Sequence, residues 1–263
     1  MRRSTSSSWR ISRADVANGL RAAAILAHKG LRTGPAVQTR AGGLTRLVQY
    51  PTGHWHPLAV LQFVEGEPLD WRTTEALRMA GTMLGTLHRV LLEDGSLELQ
   101  DQLFRYLIDD DAWGRQPNVQ PSVARAVTAV RSFEAECSVT YGPIYGDGLQ
   151  VLVDKRDGSI GLIDWGTVSR GPLLFDLALT VHAAQRAGHV DLTELFTSYL
   201  ATAPMRTAEL EGLRYYEALM WARSAKYFGY RLQHQVLLGD PRPGANAESL
   251  ARALATLERL VGE

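Results

Sequence analysis

Between Gly142 and Gly166 the helical periodicity that dominates this chain gives way to three short apolar runs. These are Gly142-Pro143-Ile144-Tyr145, Val151-Leu152-Val153 and Ile160-Gly161-Leu162-Ile163. The last two are separated by Asp157-Gly158, a dipeptide suited to a tight turn. The pattern predicts a small β-hairpin set inside a mostly helical region, and so an α+β chain. It also predicts where side chains emerge: Asp147 follows the first run and Asp164 follows the third. A carboxylate at the end of a buried strand can reach a cleft, and the hairpin between Val151 and Ile163 can bring the two together.

The flanking segments complete the organisation. Asp15 to Gly30 reads as a helix, with Val16, Leu20, Ala23, Ala24 and Ala27 at helical spacing and Gly30 as its stop. Leu44 to Tyr50 and Leu58 to Val64 read as two antiparallel strands around Pro51-Thr52-Gly53. After Gly66-Glu67-Pro68 a helical stripe of Leu77, Ala80, Met83, Leu84 and Leu87 covers Thr73 to Leu92. Further helices are expected over Pro121 to Glu136, Leu174 to Gly188, Leu192 to Ala201, Thr207 to Leu232 and Ala247 to Val261. The change from strands to helices divides the chain into residues 1–66 and 67–263.

Composition removes several classes of function. Lys and Arg total 28 against 28 Asp and Glu, a net charge of zero, which offers no excess of cations for a nucleic-acid backbone. The single cysteine, Cys137, excludes an internal disulfide and a multi-cysteine metal site. His54, His56 and His88 lack ligand spacing, so no zinc site is expected. The basic start Met1-Arg2-Arg3 is not followed by the apolar stretch of a secretory signal, and no window is apolar enough for a membrane span. A cytoplasmic protein without membrane or nucleic-acid partners is expected. The run Asp109-Asp110-Asp111 reads as solvated surface, and the aromatic residues between Tyr215 and Tyr230 read as core. No G-x-S-x-G element supports a hydrolase.

Two converging carboxylates suit phosphoryl transfer, in which one orients the attacking hydroxyl and accepts its proton and another holds the Mg²⁺ that bridges the phosphates. The ordered motifs Tyr145-Gly146-Asp147, Ile163-Asp164-Trp165 and Gly171-Pro172-Leu173-Leu174-Phe175-Asp176-Leu177-Ala178 resemble the catalytic core of the aminoglycoside phosphotransferase family, relatives of the protein kinases. Phe63-Val64-Glu65-Gly66-Glu67-Pro68-Leu69 resembles that family's hinge, and Leu84-Gly85-Thr86-Leu87-His88 its L-G-x-L-H helix. The resemblance implies a protein-kinase-like bilobal fold with a reduced N-terminal β lobe, partial and nucleotide-binding over 1–66, and a mostly helical C-terminal lobe. It implies ATP or GTP with Mg²⁺ as cofactors and a small-molecule hydroxyl as substrate. Asp147 would be the catalytic base, Asp164 and Gln150 the metal ligands, and Asp176 a brace for the catalytic loop. The backbone of Gln62, Phe63, Val64 and Glu65 would pair the base, with Arg10 at the position of the phosphate-binding lysine.

The chain also departs from the family pattern. Gln150 stands where an Asn is usual, the loop before it is two residues shorter, and Tyr145 replaces a His. No glycine-rich element precedes residue 19, and Ala23 stands near where a helix-borne Glu is expected. These departures raise a second expectation, a catalytically impaired pseudokinase serving as a binding or regulatory module.

Overall fold

The computed structural model describes residues 13–50, 53, 55–101, 103, 107, 119–236, 242 and 244–262. Arg10, with the segment Trp9-Arg10-Ile11-Ser12, lies outside the described residues, as do His54 and Asp109-Asp110-Asp111. The chain divides into two units. One contains residues 11–100 and 140–207, the other residues 101–139 and 208–263 together with 1–10.

The first of these units carries every sheet among the described residues. Helix α1 (Arg13–His28) is followed by the hairpin β1 (Arg46–Gln49) and β2 (Trp55–Leu58). Strand β3 (Glu67–Pro68) leads into helix α2 (Thr74–Asp94). The expected strand over Leu58 to Val64 is displaced. Its N-terminal neighbour Trp55–Leu58 pairs with β1, in the register Val48↔His56, while Leu61 bridges Ala36 and Gln62 donates its N–H to Pro35 O at 3.0 Å. Alternation marks an extended segment but does not name its partner, and here two adjacent extended segments have different partners.

Helix α2 is framed by local signals. The hydroxyl of Thr73 caps it by accepting from Ala76 N at 3.1 Å, and Gly95 closes it in a left-handed conformation (φ 64°) with its N–H on Leu91 O. Its apolar face, Leu77, Ala80, Leu84, Leu87 and Leu91, is fully buried. The strands that hold the sequence motifs come next: β4 (Tyr141–Ile144), β5 (Gln150–Val153), β6 (Ile160–Ile163) and β7 (Ser169–Pro172). Strand β5 is central in the antiparallel order β3-β5-β6, and β4 pairs with β7. The β5–β6 hairpin falls where the sequence put it, with Val151 opposite Leu162 in the core. Strand β7 was not foreseen, because Ser-Arg-Gly-Pro has little strand propensity and forms its ladder only by lying against β4. Helix α3 (Gln120–Glu136) belongs to the other unit, whereas α4 (Leu173–Arg186) and α5 (Thr193–Leu200) complete this one.

In the second unit α3 packs with α6 (Leu213–Gln233) and α7 (Ala245–Gly262). The aromatic row on α6 is less buried than expected. Tyr216 is enclosed, its hydroxyl donating to Glu134 at 2.9 Å, but Tyr215, Trp221, Tyr227, Phe228 and Tyr230 are half-buried. The interior stripe of α6 is instead built from Ala218, Leu219, Ala222 and Ala225, which let neighbouring helices approach.

Within the first unit α2 and α5 lie in close contact where Gly81 and Gly85 face α5. A Cβ on Gly81 would stand 2.5 Å from Leu195 O, and one on Gly85 would stand 2.7 Å from Tyr199 O. Both obstacles are backbone, so a side chain would push the helices apart. Gly81→Ala is expected to destabilise the fold by about 1–3 kcal/mol, read as a lower thermal unfolding midpoint.

Candidate active site

The turn after β4 is fixed from below by one buried carboxylate. Asp176, in the first turn of α4 and only 1% exposed, accepts from two successive backbone amides, Tyr145 N–H to Oδ2 at 2.5 Å and Gly146 N–H to Oδ1 at 2.9 Å. Its Oδ2 also meets His88 Nε2 at 3.0 Å, and the other ring nitrogen of His88 lies 2.9 Å from the Tyr199 hydroxyl. An imidazole in those positions satisfies every polar atom it brings into the core. Gly146 then reverses the chain at φ 80°, and a Cβ there would stand 2.5 Å from Thr167 O. Asp147 is thereby delivered to the surface, with Oδ1 accepting from Gly148 N at 2.8 Å.

Asp164 is delivered by a second turn, at the end of β6. It is exposed and adopts a left-handed backbone (φ 68°), a state that Asp tolerates better than most residues and that persists where its surroundings enforce it. The enforcement is visible. Trp165, buried, donates its indole N–H to Thr33 O at 2.9 Å, and Gly19 of α1 presses so closely that a Cβ there would overlap the Trp165 carbonyl. The two turns are also tied to each other. The Tyr145 hydroxyl donates to Ile163 O, the Thr167 hydroxyl donates to Tyr145 O at 2.8 Å, and the Tyr145 and Trp165 rings meet edge to face at 5.6 Å.

Strand register brings in Gln150. It opens β5 directly opposite Ile163, one residue before Asp164, and its amide nitrogen donates to Gly148 O at 3.2 Å. The amide oxygen is the end that a cation would take. The electrostatics reflect the crowding of acids: the Tyr145 phenol is pushed far above its ordinary range, first by burial, then by Asp164, with Asp147 and Asp176 adding smaller amounts.

The residues fit a magnesium ion of the kind that takes one or two carboxylates and fills its remaining positions with phosphate oxygens and water. Asp164 would supply the charge and Gln150 a neighbouring carbonyl, and among the described residues no group of three or more His, Cys, Asp or Glu forms an all-protein cage. The hinge-like residues lie beside the other end of the β5–β6 hairpin. Gln62 spends its N–H on Pro35, Phe63 is 88% exposed, Val64 is buried, and Glu65 O accepts from Arg32 at 3.1 Å. Sequence reasoning did not find the partnership of His88 with Asp176. The L-G-x-L-H motif drew attention to the position, but nothing local links it to a residue 88 positions away.

Residues 8–216 match the phosphotransferase enzyme family, APH. The chain belongs to this family. The match covers most of the chain, and it bears out the resemblance carried by the motifs around Asp147, Asp164 and Asp176. No curated protein matches this phosphotransferase by sequence. Solved structures do. Amicoumacin kinase hAmiN in complex with AMP-PNP, Ca²⁺ and Ami superposes with a TM-score of 0.73 at 13% identity, covering 94% of this chain and 78% of that one. A microcompartment-associated aminopropanol kinase gives 0.73 at 16% identity, covering 99% and 83%. A choline/ethanolamine kinase family protein from Mesorhizobium loti gives 0.66 at 16% identity, covering 96% and 79%. At these identities the likeness is one of fold, and the fold is kinase-like: small sheets with a mostly helical remainder. Among the described residues of the phosphotransferase, no helix is long and apolar enough to cross a membrane.

Removing the Asp176 side chain strands two backbone amides and a histidine in the core. Asp176→Ala is expected to cost about 3–5 kcal/mol, the range for breaking a buried, hydrogen-bonded charged group. Urea unfolding should show a lower midpoint with an unchanged slope.

Proposed function

We propose that this phosphotransferase moves the γ-phosphate of ATP or GTP onto a hydroxyl of a small molecule, an aminoglycoside-like antibiotic, an amino alcohol or a sugar. The reading rests on one observation: Asp147 and Asp164 are both exposed, on turns locked to each other through Tyr145 and Thr167. Asp147 is the base. Its carboxylate orients the substrate hydroxyl and takes its proton as that oxygen bonds to the γ-phosphorus and the bond to the nucleoside diphosphate breaks. Asp164, with Gln150 beside it, holds Mg²⁺, which when bound neutralises charge on the phosphates.

The base of the nucleotide pairs with backbone in the segment Gln62, Phe63, Val64 and Glu65. Among the described residues Phe63 and Val64 make no backbone–backbone hydrogen bond, which leaves an edge for a ligand. Arg10 serves the phosphates. Residues 1–66 act as a partial nucleotide lobe and 67–263 as the catalytic and substrate lobe, working on metabolites or drugs in the cytoplasm. The solved relative holding AMP-PNP and Ca²⁺ supports a nucleotide with a divalent cation. Membership of an enzyme family favours this reading over the impaired binding module.

Asp147→Ala is expected to lower turnover by at least ~10²-fold, the lower bound for losing a general base. The same variant should keep the thermal stabilisation by Mg²⁺ and ATP or GTP, about 2.7 kcal/mol when ligand is at 100 times its dissociation constant. Full turnover in Asp147→Ala would refute the assignment. Asp164→Ala should instead abolish the part of the thermal shift that depends on Mg²⁺.

A further inference from the structure

The turn end of the β5–β6 hairpin holds an ion cluster that the phosphotransfer chemistry does not use. Asp154, the residue after β5, is 5% exposed although it carries a charge. A buried carboxylate persists only when cations and N–H groups surround it. Here Oδ1 accepts from Arg156 N at 3.0 Å and Arg156 Nε at 3.1 Å, Oδ2 accepts from Arg156 Nη2 at 2.7 Å, and Arg32 Nη2 lies 3.7 Å from Oδ2. The two guanidinium groups are thereby fixed, and both then reach the same residue of the hinge segment. Arg32 Nη2 donates to Glu65 O at 3.1 Å, and Arg156 Nη2 bonds the Glu65 carboxylate.

Glu65 is gripped at its main chain by one arginine and at its side chain by the other, with a single buried acid behind both. Arg32 is held further by Ser159 Oγ and by its own carbonyl, which accepts from Leu162 N at 2.8 Å at the edge of β6. Next to Glu65, the side chain of Val64 lies against Gly161, where a Cβ would stand 2.3 Å from Val64 Cγ1. The extended segment 62–65 is thus seated on the hairpin whose opposite end presents Gln150 and Asp164. Four residues of strand separate the two ends, about 14 Å at the usual rise.

We propose that Asp154 is a positioning residue for nucleotide recognition: through Arg32 and Arg156 it holds the backbone around Glu65 in the register that the base reads. The proposal rests on the functional reading above and deepens it. Asp154 touches neither the substrate nor the phosphates, so its loss acts on nucleotide affinity and leaves the phosphoryl-transfer step intact. A hydrogen-bonding backbone edge displaced by a fraction of an ångström loses geometry steeply.

Two variants of the whole chain test this. Asp154→Asn keeps the shape and removes the charge that orients both arginines. Arg156→Ala removes a side chain that is 72% exposed, so the fold is not at stake. Each is expected to raise KM for the nucleotide by roughly tenfold, equivalent to about 1.4 kcal/mol, with kcat and KM for the hydroxyl substrate within about twofold of the parent. Arg156→Lys should recover part of the affinity, since it restores a cation without the forked geometry. Hydrogen exchange at residues 62–66 should accelerate in Arg156→Ala while the amides of α2 keep their protection, a readout independent of turnover. Parent protein that takes up no nucleotide would overturn the functional reading and this inference with it. Parent protein that binds nucleotide, with both variants matching its KM and its hinge exchange, would overturn this inference alone. A fall in thermal stability with KM unchanged would also overturn it, since that is what a purely structural ion cluster produces.

Discussion

The geometry of the candidate site begins with a carboxylate that water does not reach. Asp176 binds the N–H groups of Tyr145 and Gly146 and the ring of His88, which joins three elements, the turn after β4, the start of α4 and the middle of α2, at one point. A charged acceptor with three donors offsets its burial, and each donor would be orphaned without it. The chain reversal that exposes Asp147 is therefore not a feature of the loop alone. It is set by a side chain about thirty positions away, which in turn is set by a helix from an earlier part of the chain.

Above that anchor the two turns are coupled through Tyr145. Its ring is buried against Trp165, its hydroxyl reaches Ile163 O, and its carbonyl takes the Thr167 hydroxyl. The family pattern has a histidine at this position, and a tyrosine performs a bridging role by reaching across to β6. The left-handed backbone of Asp164 is held by the same neighbours, with α1 pressed on the far side at Gly19. Rigidity around the two exposed carboxylates is what a site needs when its chemistry consists of positioning charge rather than forming covalent intermediates.

The β5–β6 hairpin relates the remaining parts. Its open end carries Gln150 and Asp164, and its turn end carries Asp154 and the arginines that reach Glu65. One short, fully laddered element thus spans both ends of the proposed nucleotide site. Shortening of the loop between Asp147 and Gln150 does not disturb this relation, because Gln150 is held by its pairing with Ile163 and not by the loop that precedes it.

Much of this was legible in the sequence for local reasons. Helical stripes, the Asp157-Gly158 turn and the positions of Asp147 and Asp164 at strand ends all depend on neighbours within a few residues, and the structure has them close to where they were expected. The family was legible too, since its motifs are short and ordered. What the sequence could not specify were pairings over distance: Ser169–Pro172 against β4, Ala36 and not a hairpin partner beside Leu61, His88 with Asp176, and Arg32 with Glu65 and Asp154. A polar side chain's propensity is the same whether it is solvated or buried against a partner a hundred residues away. Only the packed core, by excluding water, obliges those distant groups to find each other.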